Sequence, residues 1–179
     1  MKKKEMKASI AELLSSGINK QQVFDRLSGQ GVKDSVLANM VASQKDLQLC
    51  EQHSRKVSIL ISLTLVQAVL AALQGFIIGV GIGPTAKWVV AAVLAGIPLL
   101  FAWGFSRCAA GAYNAYILLS VVGFSQTLKG FATDPVPTAI GFAINLALLA
   151  YVWYVRNKLF PDFNFVAPRK IKGKYVFAG

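Results

Sequence analysis

Residues Val57 to Gly83, VSILISLTLVQAVLAALQGFIIGVGIG, run for 27 positions without a charge. A stretch of that length exceeds the about 20 apolar residues that cross a hydrocarbon core. It is therefore read as the first of several membrane spans, because three further uncharged or nearly uncharged runs follow before residue 156. Hydropathy and punctuation place four spans, at about 57–81, 88–105, 109–128 and 136–155. Gly83 and Pro84 turn the chain after the first, Ser106, Arg107 and Cys108 after the second, and Lys129 to Asp134 after the third. Pro98 is expected to kink the second span, and Pro135 and Pro137 suit the start of the fourth helix. Only 15% of the residues are charged, against about 25% in soluble domains. The fold class is thus an all-α polytopic membrane protein: a four-transmembrane-helix bundle with a small N-terminal cytoplasmic helical headpiece.

Charge is concentrated at the two ends. Ten Lys or Arg precede residue 57, six follow residue 155, and only Lys87, Arg107 and Lys129 lie between. With four crossings, one side holds 17 of these and the other holds 2. The positive-inside rule then puts both termini in the cytoplasm. Compactness and size point to a bacterial inner membrane. The start, MKKKEMK, is followed by a mixed polar stretch rather than the short apolar core and small-residue cleavage site of a secretory leader. The first span is accordingly expected to be an uncleaved signal anchor. Cys50 and Cys108 both fall at cytoplasmic ends of the membrane block and are expected to be reduced thiols.

Residues 1–56 are expected to form a three-helix headpiece. A first helix, from about Ala8 to Ser15, carries Ile10, Leu13 and Leu14 and stops at Gly17. The second opens at Asn19 with Gln22 three residues on, and presents Val23, Phe24 and Leu27. The third, from about Asp34 to Leu47, carries Val36, Leu37, Met40 and Val41. This helix, turn, helix arrangement suits a membrane-tethered regulator. However, the stretch from Ser35 to Ser43 has no Arg or Lys, and only Asn39 and Gln44 could read bases, which argues against nucleic acid.

The tail, 156–179, alternates aromatic with basic residues. It is expected to lie along anionic headgroups, with Leu159, Phe160, Phe163 and Phe165 dipping into lipid and Arg169, Lys170, Lys172 and Lys174 on the phosphates. The alternative is a short hairpin around Gly173.

Two patterns lie inside the spans. Gly75, Gly79 and Gly83 recur every four residues and form a helix-packing face. Ala92 with Gly96, Gly111 with Ala115, and Ala139, Ala143 and Ala147 repeat that logic. Second, four intramembrane amides, Gln67, Gln74, Asn114 and Asn145, are expected to point inward, since an amide in lipid needs a partner. They are either internal glue or the lining of a polar cleft for a small ligand or partner helix. Arg107 reads as a topology anchor, or else as a lipid or anion contact beside Tyr113 and Asn114.

What is missing narrows the chemistry. No Asp, Glu or His lies within the four spans, whereas ion-coupled pumps place ionisable groups there. Ser120 and Ser125 lack a base, and His53 stands alone, so no catalytic, metal or cofactor site is expected. The functional expectation is a non-enzymatic membrane protein that binds or regulates a protein partner, in one form an immunity protein against a membrane-acting toxin. The alternatives are a small homo-oligomeric channel or facilitator packed through the glycine face, and the tethered regulator.

Overall fold

The computed structural model describes residues 3–130 and 135–177; of residues 125–130 and Pro137 it gives the backbone alone. The expected outer loop at Lys129 to Asp134 thus falls largely outside the described residues. Among the described residues there are eight helices, and the structure is 75% helical. Four short ones come first: α1 (Lys3–Ser15), α2 (Lys20–Leu27), α3 (Asp34–Ala42) and α4 (Leu47–Gln52). Four long ones follow: α5 (Ser54–Val80), α6 (Ala86–Ser106), α7 (Ala110–Gly130) and α8 (Pro135–Leu159). Among the described residues three stretches, Ser54–Val80, Ala86–Ser106 and Thr138–Leu159, are long and apolar enough to cross a membrane. In α7 the described apolar stretch, Ala110–Phe124, is shorter.

The headpiece has four helices rather than three. The expected third helix stops at Ala42, because Asp46 starts a new one: its carboxylate accepts from the backbone N–H groups of Gln48 and Leu49 at 2.9 and 3.2 Å. At α2 the expected cap is present, with Asn19 Oδ1 accepting from Gln22 N at 2.8 Å. Gly17, at φ +84°, closes α1 in the left-handed conformation: Gly17 N donates to Leu14 O and Ile18 N to Leu13 O. These helices bury Met6, Ile10, Val23, Phe24, Leu37 and Val41.

The long helices form two hairpins. Along the first, α5 lies tightly on α6 for much of its length; along the second, α7 lies on α8. The hairpins meet chiefly at the headpiece end. There α5 buries Val57, Leu60, Thr64 and Ala68, α7 buries Tyr113, Tyr116 and Ile117, and α8 buries Leu148, Val152 and Val155. Further along, Leu118, Leu119, Val122, Ile140 and Ile144 are exposed. The turn from α6 to α7 is a Schellman closure: Cys108, at φ +48°, donates to Phe105 O at 2.9 Å, and Ala109 N donates to Gly104 O at 3.1 Å. Gly104 lets the chain close so sharply, since a Cβ there would collide with that of Ala112.

The tail departs from its expected course along headgroups. It folds as two antiparallel hairpins: β1 (Phe163–Asn164) pairs with β2 (Ala167–Pro168), and β3 (Lys170–Ile171) with β4 (Lys174–Tyr175). Lys172 and Gly173, at φ +49° and +82°, make the two-residue turn of the second hairpin, the alternative centred on Gly173. Leu159, Phe160 and Phe163 are buried in protein, and Phe165, though exposed, packs tilted against the Trp153 ring with centroids 5.1 Å apart. The physical reason lies in the headpiece. Its short helices leave an apolar face too large to cover themselves, and the tail aromatics close it: the Phe24 ring sits 5.4 Å from Tyr175 and 5.5 Å from Phe177.

Candidate functional site

Three arrangements bring polar groups together. The first joins the two chain ends. Lys20 Nζ lies 2.6 Å from Asp162 Oδ2, with the Asp162 side chain fully buried and that of Lys20 only 14% exposed. Phe177 N donates to Gln21 Oε1 at 3.2 Å, and Arg169 N donates to Asp162 O at 2.8 Å. Headpiece and tail are one folded unit, continuous with the base of the long helices through Val57, Leu60, Phe105 and Val155.

The second arrangement centres on Arg156, in the last turn of α8. This guanidinium has no solvent exposure. Its Nε donates to Asn114 Oδ1 at 3.1 Å, Nη1 donates to Asn157 Oδ1 at 3.0 Å, and Nη2 donates to Phe165 O. Trp153 and Phe163 lie within 5.5 and 5.0 Å of its Cζ. A buried arginine thereby ties the tail to α7. In the sequence Arg156 is one of the terminal basic residues, and nothing local distinguishes it from a charge that ends a span. The arginine beside Asn114 is therefore Arg156; Arg107 is exposed and stacks on the Trp103 ring at 4.3 Å. Nearby, Tyr113 Oη is buried and has no hydrogen-bonding partner among the described residues. Tyr113→Phe is expected to leave stability unchanged or raise it by about 1 kcal/mol, since an unmatched buried hydroxyl disappears. Thermal melting in detergent checks this; a clear loss would mean that the hydroxyl has a partner.

The third is a cavity of about 240 Å³ between the hairpins, lined by Gln67 of α5, Pro98 and Phe101 of α6, Tyr116 and Ser120 of α7, and Asn145 of α8. Tyr116 Oη donates to Gln67 Oε1 at 3.3 Å. Asn145 Nδ2 donates to Gly141 O of its own helix at 2.9 Å. Gln74, by contrast, is exposed. It shares a helix face with Gln67, but the second hairpin covers that face only near the headpiece end, so the expectation that all four amides point inward fails at Gln74. Asn145 too is largely exposed despite lining the cavity.

The glycine face divides in the same way. A Cβ on Gly75 would lie 2.7 Å from Ala91 Cα, and one on Gly79 would lie 2.7 Å from Lys87 N. Gly83 has nothing within 4 Å and belongs to the turn, as α5 ends at Val80. Gly96 and Gly111 also meet nothing within 4 Å, and Ala139, Ala143 and Ala147 are exposed, so the other small-residue pairs do not pack within the chain. Arg169, Lys170, Lys172 and Lys174 are exposed on the tail, with Lys170 Nζ 4.5 Å from the Tyr175 ring.

Of the two thiols, Cys108 is buried and Cys50 half-buried. Burial first, then the neighbouring Cys108, pushes the Cys50 thiol up to about 12, so it carries almost no thiolate at neutral pH. Among the described residues no three His, Cys, Asp or Glu side chains converge as metal ligands. Comparison with family models, curated proteins and solved structures finds no match to this chain.

Proposed function

We propose that this chain is a non-enzymatic inner-membrane protein of four spans, with both termini in the cytoplasm, that docks and regulates a protein partner. The observation that carries the reading is the union of the two chain ends. A tail needed only as a lipid anchor would have no use for the buried Lys20–Asp162 pair, whereas a docking surface benefits from being rigid. Orientation rests on the distribution of Lys and Arg, 17 against 2. The exposed basic cluster of Arg169, Lys170, Lys172 and Lys174 is assigned to anionic headgroups or to an acidic surface of the partner.

The docking surface is the groove between α1 and α3, lined by Lys3, Lys7, Ser35, Asn39, Met40 and Gln44. Two lysines at a neutral polar floor favour an acidic, hydrogen-bonding segment. The immunity form of this reading makes the partner a membrane-acting toxin. It predicts that deletion sensitises cells to a neighbour's toxin, and unchanged resistance removes that form alone. A homo-oligomeric channel built on the glycine face is disfavoured, since α6 of the same chain already occupies Gly75 and Gly79.

The test is co-purification of the full-length protein in mild detergent, compared with Lys7→Glu and Asn39→Trp. The expected result is one stoichiometric partner, reduced about tenfold by either substitution while the helical signal is retained. A homogeneous homo-oligomer without a partner would overturn the proposal.

A further inference from the structure

The cavity between the hairpins contains matched polar and aromatic groups at a depth where, on the membrane reading above, no water is available to satisfy them. Gln67 uses its carbonyl on Tyr116, and Asn145 uses its NH₂ on Gly141 O. Among the described residues the amide NH₂ of Gln67 and the amide oxygen of Asn145 have no side-chain or backbone partner. In hydrocarbon such groups are costly unless something hydrogen-bonds to them, and acyl chains cannot. Among the described residues no charged side chain lines the space, which disfavours an ionic occupant on desolvation grounds. Phe101, Tyr116 and Phe124 supply aromatic walls. At about 240 Å³ the cavity holds a ring-sized head but not a whole lipid. Beyond it the hairpins part, as the exposure of Val122 and Ile140 shows, so an apolar tail has a way out.

We propose that this cavity binds the uncharged head of a lipid-soluble molecule whose carbonyl or hydroxyl oxygens meet Gln67 and Asn145, with its apolar tail extending between the hairpins. A quinone and a diacylglycerol share that chemistry. The aromatic walls favour the flat ring.

The experiment uses full-length protein in phosphatidylcholine nanodiscs with three diazirine-bearing probes: a decylubiquinone, a dioleoylglycerol, and a phosphatidylglycerol as charged control. Peptide mapping reads where each attaches. Saturable labelling of peptides containing Tyr116, Ser120 or Asn145, about tenfold above the charged control, is expected for the quinone probe. The same result from the glycerol probe alone would assign the acylglycerol source. Gly123→Leu adds a side chain at a cavity-lining position where, among the described residues, a Cβ meets nothing within 4 Å, and it is expected to abolish the enrichment while the helical signal is retained. Asn145→Leu is expected to reduce it about fivefold. Enrichment by neither neutral probe, or enrichment unchanged in Gly123→Leu, overturns the assignment. Protease protection of the spans in the same discs keeps the two readings distinguishable: protected spans without enrichment defeat only the cavity, and unprotected spans defeat the membrane reading.

Discussion

Gly79→Leu is expected to lower stability by about 3 kcal/mol, the upper end of what overpacking costs, because the obstructing atoms belong to backbone. Even a methyl group at this position would press on Lys87 Cα and N, and α6 cannot retreat by rotating a side chain. The hairpin must open along its length or tilt about the turn at Gly83. In a protein of this size the melting temperature should fall by about 6 to 12 °C in detergent. Gly96→Leu is the control, since its Cβ would meet nothing within 4 Å. It should change stability by no more than about 0.5 kcal/mol. Equal losses at the two positions would show that helix propensity or lipid contact, rather than the close approach of α5 to α6, governs the effect.

Lys20→Met is expected to release the tail from the headpiece. It leaves the fully buried Asp162 carboxylate without its ammonium partner, and breaking a buried pair from one side costs about 3 to 5 kcal/mol. The loss falls first on the contact between tail and headpiece, since the close pairing of α5 with α6 makes no use of it. Tryptic cleavage after Arg169, Lys170, Lys172 and Lys174 reports it directly. Cleavage in the folded protein should accelerate by about 100-fold, following the population of the opened tail. Lys20→Met combined with Asp162→Leu should recover most of the loss, as two apolar groups can replace a buried pair at little cost. An unchanged cleavage rate in the single variant would mean that aromatic packing around Phe24 holds the tail without the ion pair.

The long helices are legible because hydropathy alone demands them. The expected limits of the first and second, at 57–81 and 88–105, lie within three residues of α5 and α6. The close face at Gly75 and Gly79 is legible for the same reason: a four-residue period puts small residues on one line of a helix. The tail is not, because alternating aromatic and basic residues suit a headgroup layer and a protein surface equally, and only the size of the uncovered headpiece face decides between them. Arg156 is invisible for a related reason. A basic residue after a span reads as an anchor, and its burial follows from the tail folding over it, a contact between residues nine apart that no helical period encodes. Gln74 shows the limit of periodicity, which assigns a face but not how far along the helix that face is covered. The cavity lies between these extremes: its amides were visible, while Tyr116, Ser120 and Pro98 join them only through the pairing of the hairpins.

The union of the two chain ends on one side of the membrane is tested most directly by cross-linking in intact cells. Lys20→Cys and Asp162→Cys are placed together in a chain carrying Cys50→Ser and Cys108→Ser, with a protease site inserted at the turn between α5 and α6. A short membrane-permeant bismaleimide is then applied, and the chain is cleaved. The account predicts that the two fragments remain joined, and that a membrane-impermeant maleimide reaches neither position in sealed cells. Fragments that separate, or a single position that reacts from outside, would contradict it.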